Sequence, residues 1–277
     1  MFRRITPLGI AVAAGLVATS AFASDLDIIN APEIDVSGGA VAEGWYIRGD
    51  LGYAGWIKGD EPSHRIEAFG ATFSEGEFDN TRFSQPVSYG AGMGYQFNNF
   101  LRTDLTADFF SSSLKGSADV DSPCITAPAG TTCGLGLKAD YNAIQLMANG
   151  YVDLGTYAGI TPYVGAGAGV TYMNWDDFRT QATCENGTGA CGGTTFEELR
   201  VKGGDSWRFT YSLMAGAAID LTNRVKLDLG YRFSDMNGGR MFGGTVDVPG
   251  VGEVSARGRD DGFQKHEFRA GIRVTTW

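Results

Sequence analysis

Histidine is scarce in this sequence: His64 and His266 are the two imidazoles in 277 residues. General-base catalysis by histidine and histidine-ligated metal sites therefore have little to draw on. Beyond the first residues no apolar run is long enough for a membrane-spanning helix, and no stretch shows the 3.6-residue periodicity of a long amphipathic one. Positive charge is also short. Twenty-two Lys and Arg stand against 32 Asp and Glu, a formal charge of −10, so no nucleic-acid partner is expected, because phosphate contacts need a basic surface. Cysteine is limited to four residues, in two local pairs, Cys124/Cys133 and Cys184/Cys191, within Gly- and Thr-rich segments. Neither spacing has the CxxC form of a zinc site and neither segment holds a histidine, so no metal and no cofactor are expected. In an exported chain the economical reading is short-range disulfides, with local pairing favoured over crossed pairing.

Export is indicated by the first residues. Arg3 and Arg4 precede the apolar run LGIAVAAGLVA (8–18), and Ala21-Phe22-Ala23 supplies the small residues of a cleavage site. That is the pattern of a secretory signal over 1–23, too short for a transmembrane helix. Its removal takes two arginines and no acid, so the mature chain is more acidic still. Residues 24–44, of mixed polarity with many small side chains, read as a periplasmic leader ahead of the folded domain, 45–277.

What is plentiful is glycine, 41 residues, with Tyr and Phe, in runs that alternate with a period of two. Eight such runs stand out: WYIRGDLGY (45–53), VSYGAGMGYQF (87–97), LRTDLTADF (101–109), IQLMANGYVDL (144–154), PYVGAGAGVTY (162–172), RFTYSLMAGAAIDL (208–221), VKLDLGYRF (225–233) and HEFRAGIRV (266–274). Connectors alternate between short turns (98–100, 155–161, 222–224) and segments of about 30 residues (58–84, 111–140, 176–206, 236–262). This spacing predicts an up-and-down meander of eight antiparallel strands with its four long loops at one end. TVDVPGVGEVSA (245–256) carries two alternating runs about Pro249-Gly250, so the last two strands can continue as a hairpin inside the fourth loop.

One face of the eight runs carries no charge. It holds Ile47, Leu51, Tyr89, Met93, Leu105, Phe109, Ile144, Leu146, Val164, Val170, Tyr211, Leu213, Ile219, Leu227, Leu229, Phe268, Ile272 and Val274. The other holds Arg48, Arg102, Arg208, Lys226, Arg232, Arg269 and Arg273, with Asp50, Asp104, Asp108, Asp153, Asp220, Asp228 and Glu267. A soluble lipocalin-like barrel has the same alternation with its apolar face inside. Three features place the apolar face outside, against lipid. Aromatics rim the runs (Trp45, Tyr53, Tyr95, Phe97, Phe100, Tyr172, Tyr231, Phe233, Trp277), as interfacial girdles require. Gly90, Gly92, Gly94, Gly165, Gly167 and Gly169 crowd the polar face, where a narrow lumen needs gaps for long charged side chains from neighbouring strands. A charge in mid-membrane costs about 2–4 kcal/mol, which suits a charge-free outer wall. The expected fold is all-β: a transmembrane β-barrel of eight antiparallel strands, whose backbone groups are satisfied only if it closes.

These residues carry a resemblance. The leader, WYIRGDLGY, PYVGAGAGVTY, VKLDLGYRF and the terminal HEFRAGIRVTTW resemble the small outer-membrane β-barrel surface antigens of alphaproteobacteria, related in architecture to the OmpA and Opa barrels. The resemblance spans the mature chain. It implies the outer membrane of a Gram-negative envelope, both termini periplasmic, and a role in envelope integrity or host contact. Trp277 matches the terminal aromatic that the barrel-assembly machinery recognises in this family, one residue beyond the register of Val274 and Thr276. No counterpart of the peptidoglycan-binding domain of larger OmpA-like proteins is expected.

Within an eight-stranded barrel, side chains suffice to fill the interior. Seven bases and seven acids on the inner face are expected to pair, since an unpaired buried charge is expensive. A structural, salt-bridged plug is therefore the leading function, with a small porin-like channel and a host-contact adhesin as alternatives. His266 with Glu267 and Ser234 or Ser255 form a triad on paper only, with no nucleophile motif around either serine; catalysis is not expected, and His266 reads as a polar residue of the lumen rim. The loops SEGEFDNTRFS, CENGTGACGGTTFEEL and RGRDDGFQKHE read as polar connectors. The expected partners are outer-membrane lipid and lipopolysaccharide, the assembly machinery, and a host surface ligand contacted by the loops.

Overall fold

The computed structural model describes residues 43–59, 62–68, 71–121, 132–185, 198–248 and 252–276. The signal segment, the leader up to residue 42, Cys124, Cys191 and Trp277 lie outside them. The strands run in chain order β1 (Gly44–Gly59), β2 (Ser63–Ala68), β3 (Ala71–Glu77), β4 (Asp79–Phe83), β5 (Val87–Gln96), β6 (Leu101–Asp121) and β7 (Thr132–Asp153). They continue as β8 (Ile160–Trp175), β9 (Phe178–Glu185), β10 (Leu199–Val201), β11 (Asp205–Asp220), β12 (Val225–Val248) and β13 (Gly252–Thr275).

Eight of these close a ring. β1 pairs with β5, then β6, β7, β8, β11, β12 and β13 follow, and β13 pairs back onto β1, every pairing antiparallel. A cross-strand row starting at Arg273 passes through Arg48, Gly92, Thr106, Met147, Gly169, Thr210 and Met236 and returns to β13 at Phe263, ten residues from its start. In an eight-stranded barrel that stagger corresponds to a strand tilt of about 40°.

The three tight turns lie at one end and are built by local polar groups. Asn98 Oδ1 accepts from the amides of Phe100 and Leu101, both at 2.8 Å. Thr222 Oγ1 accepts from the Val225 amide at 3.0 Å. The turn at 155–159 takes left-handed backbone at Gly155, Ala158 and Gly159, two of which have no Cβ to clash.

At the opposite end the described residues of the long connectors are largely strand, a correction to the loops expected from sequence. β6 and β7 run on as a hairpin to Asp121 and from Thr132, and β12 and β13 pair out to Val248 and Gly252. RGRDDGFQKHE belongs to β13, and much of SEGEFDNTRFS forms the ends of β3 and β4. The short strands widen this end into a collar: β2 and β3 add onto β13, β4 onto β6, and β9 with β10 onto β7. β12 and β13 pair from Thr245 opposite Ser255 to Val248 opposite Gly252, as the alternation of that segment indicated.

The reason for the extension is a reversal of the alternation. Along the tight-turn half of the barrel, all the charge-free face points outward, from Ile47, Leu105 and Phe268, about three-fifths exposed, to half-buried Ile219, Leu227 and Val274. Above that belt the apolar side chains turn inward. Phe109 is exposed and Phe110 is buried, and the doublet marks the switch on β6. Phe78, Phe110, Leu114, Leu137, Tyr141, Met173, Trp175, Phe178, Val201, Met241, Phe242 and Phe263 belong to one buried cluster. Phe263 stands at its centre, edge-on to Phe83 at 4.8 Å and stacked on Tyr141 at 6.4 Å. Burial pushes the Tyr141 hydroxyl pKa up to about 12 and lowers that of His64, which packs on Phe78 at 4.7 Å. Where the outer wall is apolar the lumen is polar, and where the outer wall is polar the lumen is apolar.

A charge-paired lumen as the candidate functional site

Inward positions on every strand of the ring meet in the belt half. Near the tight turns, Arg102 Nε donates to both oxygens of Asp153 at 3.0 and 3.2 Å, and its guanidinium lies over the rings of Tyr151 (4.0 Å) and Tyr163 (4.6 Å). Arg273 pairs with Asp228 at 3.3 Å and lies over Tyr46. One layer up, Arg48 grips Asp50 with two donors at 2.8 and 2.7 Å and reaches Asp104 at 2.8 Å. Asn149 and Tyr46 also donate to Asp104, at 2.7 and 3.2 Å.

The third layer is the most connected. Arg269 bridges Asp108 at 2.7 Å and Asp50 at 3.3 Å. Arg232 sits between Asp108 and Glu267, each at 2.7 Å, and is 2% exposed. Ser88 donates to Glu267, and Lys265 lies 3.5 Å from the same carboxylate with its ammonium over Phe110 at 4.0 Å. Still higher, under the apolar cluster, Arg208 makes a two-pronged contact with Asp260, both bonds 2.7 Å. Burial raises the Asp260 carboxyl above the usual carboxylate range, and Arg208 pulls against it. Planar, two-pronged arginine–carboxylate pairs are the strong form of this contact.

Glycines make the room. A Cβ on Gly90 would fall onto the Asp108 carboxylate and within 2.9 Å of Arg269, and one on Gly92 would meet the Leu105 carbonyl at 2.8 Å and the Arg48 side chain at 3.2 Å. The space left among Arg48, Asp50, Asn149, Tyr151, Met214 and Arg232 is about 20 Å³, enough for one water. Above it the apolar cluster continues the obstruction.

Twelve of the fourteen charged residues named from sequence, Arg48, Asp50, Arg102, Asp104, Asp108, Asp153, Arg208, Asp228, Arg232, Glu267, Arg269 and Arg273, take part in this network. Asp220 and Lys226 pair with each other, but at the tight-turn mouth and partly exposed. The sequence reading missed Lys265 and Asp260, one of each sign, because it began the last strand at His266. Lys265, two residues before Glu267, continues the alternation of β13 and was legible; Asp260 lies seven residues before Glu267, beyond a change of phase at Gly262, so alternation gave no signal for it. It also missed Tyr46, Tyr151 and Tyr163, whose aromatic character hid hydroxyls and ring faces turned inward.

Two expectations fail on sidedness. His266 is on the outer wall, hydrogen-bonded to the Tyr231 hydroxyl at 2.5 Å, not at the lumen rim. Glu267 and Ser234 point into the lumen, Ser234 bonded to Ser212 at 2.8 Å, so the triad written from sequence is split across the wall. Cys133 on β7 is the cross-strand partner of Cys184 on β9, while the local pairs Cys124/Cys133 and Cys184/Cys191 each include a residue outside the described ones.

The family model for the outer membrane protein beta-barrel domain matches residues 9–274. An uncharacterized protein of Brucella suis biovar 1 is 34% identical over 282 residues, covering 94% of both chains. A protein of Rickettsia bellii named as a putative adhesin is 26% identical, covering 83% of this chain and 87% of its own. Among solved structures, OprG of Pseudomonas aeruginosa is 17% identical with a TM-score of 0.46, covering 86% of this chain and 99% of its own. Neisserial surface protein A is 16% identical with a TM-score of 0.41, covering 83% and 96%.

Proposed function

This chain belongs to the outer membrane protein beta-barrel family, and we propose that its work in the outer membrane is structural: a closed, non-conducting barrel that holds a stiff collar of sheet outside the cell. The observation that carries this reading is the interior. A buried network in which each guanidinium meets a carboxylate fills the membrane half, and an aromatic cluster fills the other. A selective pore would instead line an open path with one sign of charge. The tight turns and both termini face the periplasm, as short turns do in such barrels, and the collar faces out. With His266 and Glu267 on opposite sides of the wall, the chain works without catalysis.

Planar bilayers holding the refolded chain are expected to stay silent, in preparations whose gel mobility shifts on boiling. Reproducible conductance steps from such protein would sink the closed-lumen reading and put solute passage in its place.

A second reading, host contact, is favoured by the collar itself. Function concentrates on segments held by a rigid scaffold, and the Rickettsia bellii relative is named as a putative adhesin. Displaying the chain on a non-adherent bacterium and counting attached cells tests it; no gain in attachment would count against it.

A further inference from the structure

On the outer face of the collar, exposed cations are brought together by strand register. Arg82 on β4 is the cross-strand partner of Lys115 on β6, Lys115 of Lys138 on β7, Lys138 of Arg179 on β9, and Arg179 of Arg200 on β10. All five are exposed. At strand spacing the row spans about 19 Å. Like charges directly opposed across strands destabilise a sheet, and here four such pairs follow one another in a chain of net charge −10. Among the described residues, Arg200 is the one of the five with a carboxylate within ion-pair distance, Glu198 at 3.1 Å. Asp140 and Asp177 stand two residues from Lys138 and Arg179 on the same face, and neither forms an ion pair with the row.

The pattern continues round the collar. The Gly243 amide of β12 donates to the Lys202 carbonyl beside β10 at 3.4 Å. Arg240 on β12 then opposes Arg259 on β13, and Arg257 opposes Arg65 on β2. Of these, Arg65 is held by Glu75 at 2.7 Å.

We propose that this basic row binds the phosphorylated saccharide core of the lipopolysaccharide surrounding the barrel. A sheet that tolerates repeated opposition of like charge calls for a polyanion, and cations distributed round the wall suit a partner that approaches from every side, as the leaflet does. The row carries no aromatic ring for stacking a nucleic-acid base. Height selects the saccharide. Lys115 lies six residues beyond Phe109, the last outward aromatic of β6, which is about 20 Å along the strand. At a tilt of about 40° it stands about 15 Å above the belt edge. A phosphate on the lipid itself sits at the hydrocarbon edge and below the row, whereas core phosphates reach it.

The inference rests on the collar facing outward, but binding in detergent does not depend on orientation, so the two fail separately. The full chain and a Lys115→Gln/Lys138→Gln/Arg179→Gln variant would be titrated with core-bearing lipopolysaccharide and with a deep-rough form truncated to its lipid anchor. The variant is expected to bind the core-bearing form at least tenfold more weakly, to bind the truncated form equally well, and to keep its mobility shift on boiling. In lipopolysaccharide-free detergent it should unfold at higher urea than the parent, because repulsion has been removed. Equal binding of core-bearing lipopolysaccharide would overturn the proposal, as would a loss confined to heparin or single-stranded DNA, or an equal loss for both lipopolysaccharide forms. Lys138→Gln alone supplies a second, milder variant should the triple one fold poorly.

Discussion

Arg232→Ala is expected to cost the folded barrel about 3–5 kcal/mol, the range for removing one partner of a buried ion pair. Arg232 is the hinge of the third layer: it holds Asp108 and Glu267 from two different strands at 2.7 Å each. Without it, Asp108 keeps Arg269 and Glu267 keeps Lys265 at 3.5 Å, but each carboxylate loses its shorter or second cation in a site with no room for much water. Urea titration of refolding into lipid vesicles, followed by tryptophan fluorescence, measures the cost. Arg232→Ala/Glu267→Ala should recover part of it, because the uncompensated anion goes too. A single-variant loss below about 1 kcal/mol, the range of exposed pairs, would mean the lumen is wetter than the packing implies.

The second large effect belongs to the collar. Phe263→Ala should cost about 3–5 kcal/mol, as large-to-small changes at buried aromatics do. Phe263 is 3% exposed and touches Phe83, Tyr141 and Trp175, while the Arg208 guanidinium lies over it at 5.1 Å. Phe268, five residues on and pointing outward, is 63% exposed, so Phe268→Ala in detergent should cost far less. Loss of the Phe263 ring should loosen β2–β4 and β9–β10 first. Hydrogen exchange should rise there and in the outer ends of β12 and β13, with β8 residues 160–170 unchanged. Equal responses to the two substitutions would show that the collar has no core of its own.

Much of this barrel was legible from the chain. The strict two-residue alternation of VKLDLGYRF names both its faces, and repeating it eight times between short and long connectors names the meander. The glycines of VSYGAGMGYQF marked the polar face as a crowded lumen, and the structure places Asp108, Arg269 and Arg48 against them. Balanced inner charge was also readable, because each strand contributes its acids and bases at a fixed parity.

The collar was not legible by the same rule. Alternation persists through residues 110–117 and 132–143, but its apolar members change sides, and a search for charge-free faces ends where the phase does. The Phe109–Phe110 doublet was a visible sign. The partners of each charge were hidden for a different reason. Arg232 and Asp108 are 124 residues apart, and only barrel closure with a stagger of ten residues brings β12 opposite β6 across the lumen. The same holds for the basic row: net charge gave no sign of a basic surface, yet register gathers residues 82, 115, 138, 179 and 200 into one line.

By itself, then, the sequence determined the eight strands of the ring, their two faces and the outward direction of the apolar one, because side-chain parity and the cost of charge in lipid are local properties. Register, the pairing of the inner charges and the sidedness of the collar were decided only by the tertiary structure, because which side chains meet depends on how eight tilted strands are staggered. That stagger is a property of the closed ring and of no single strand.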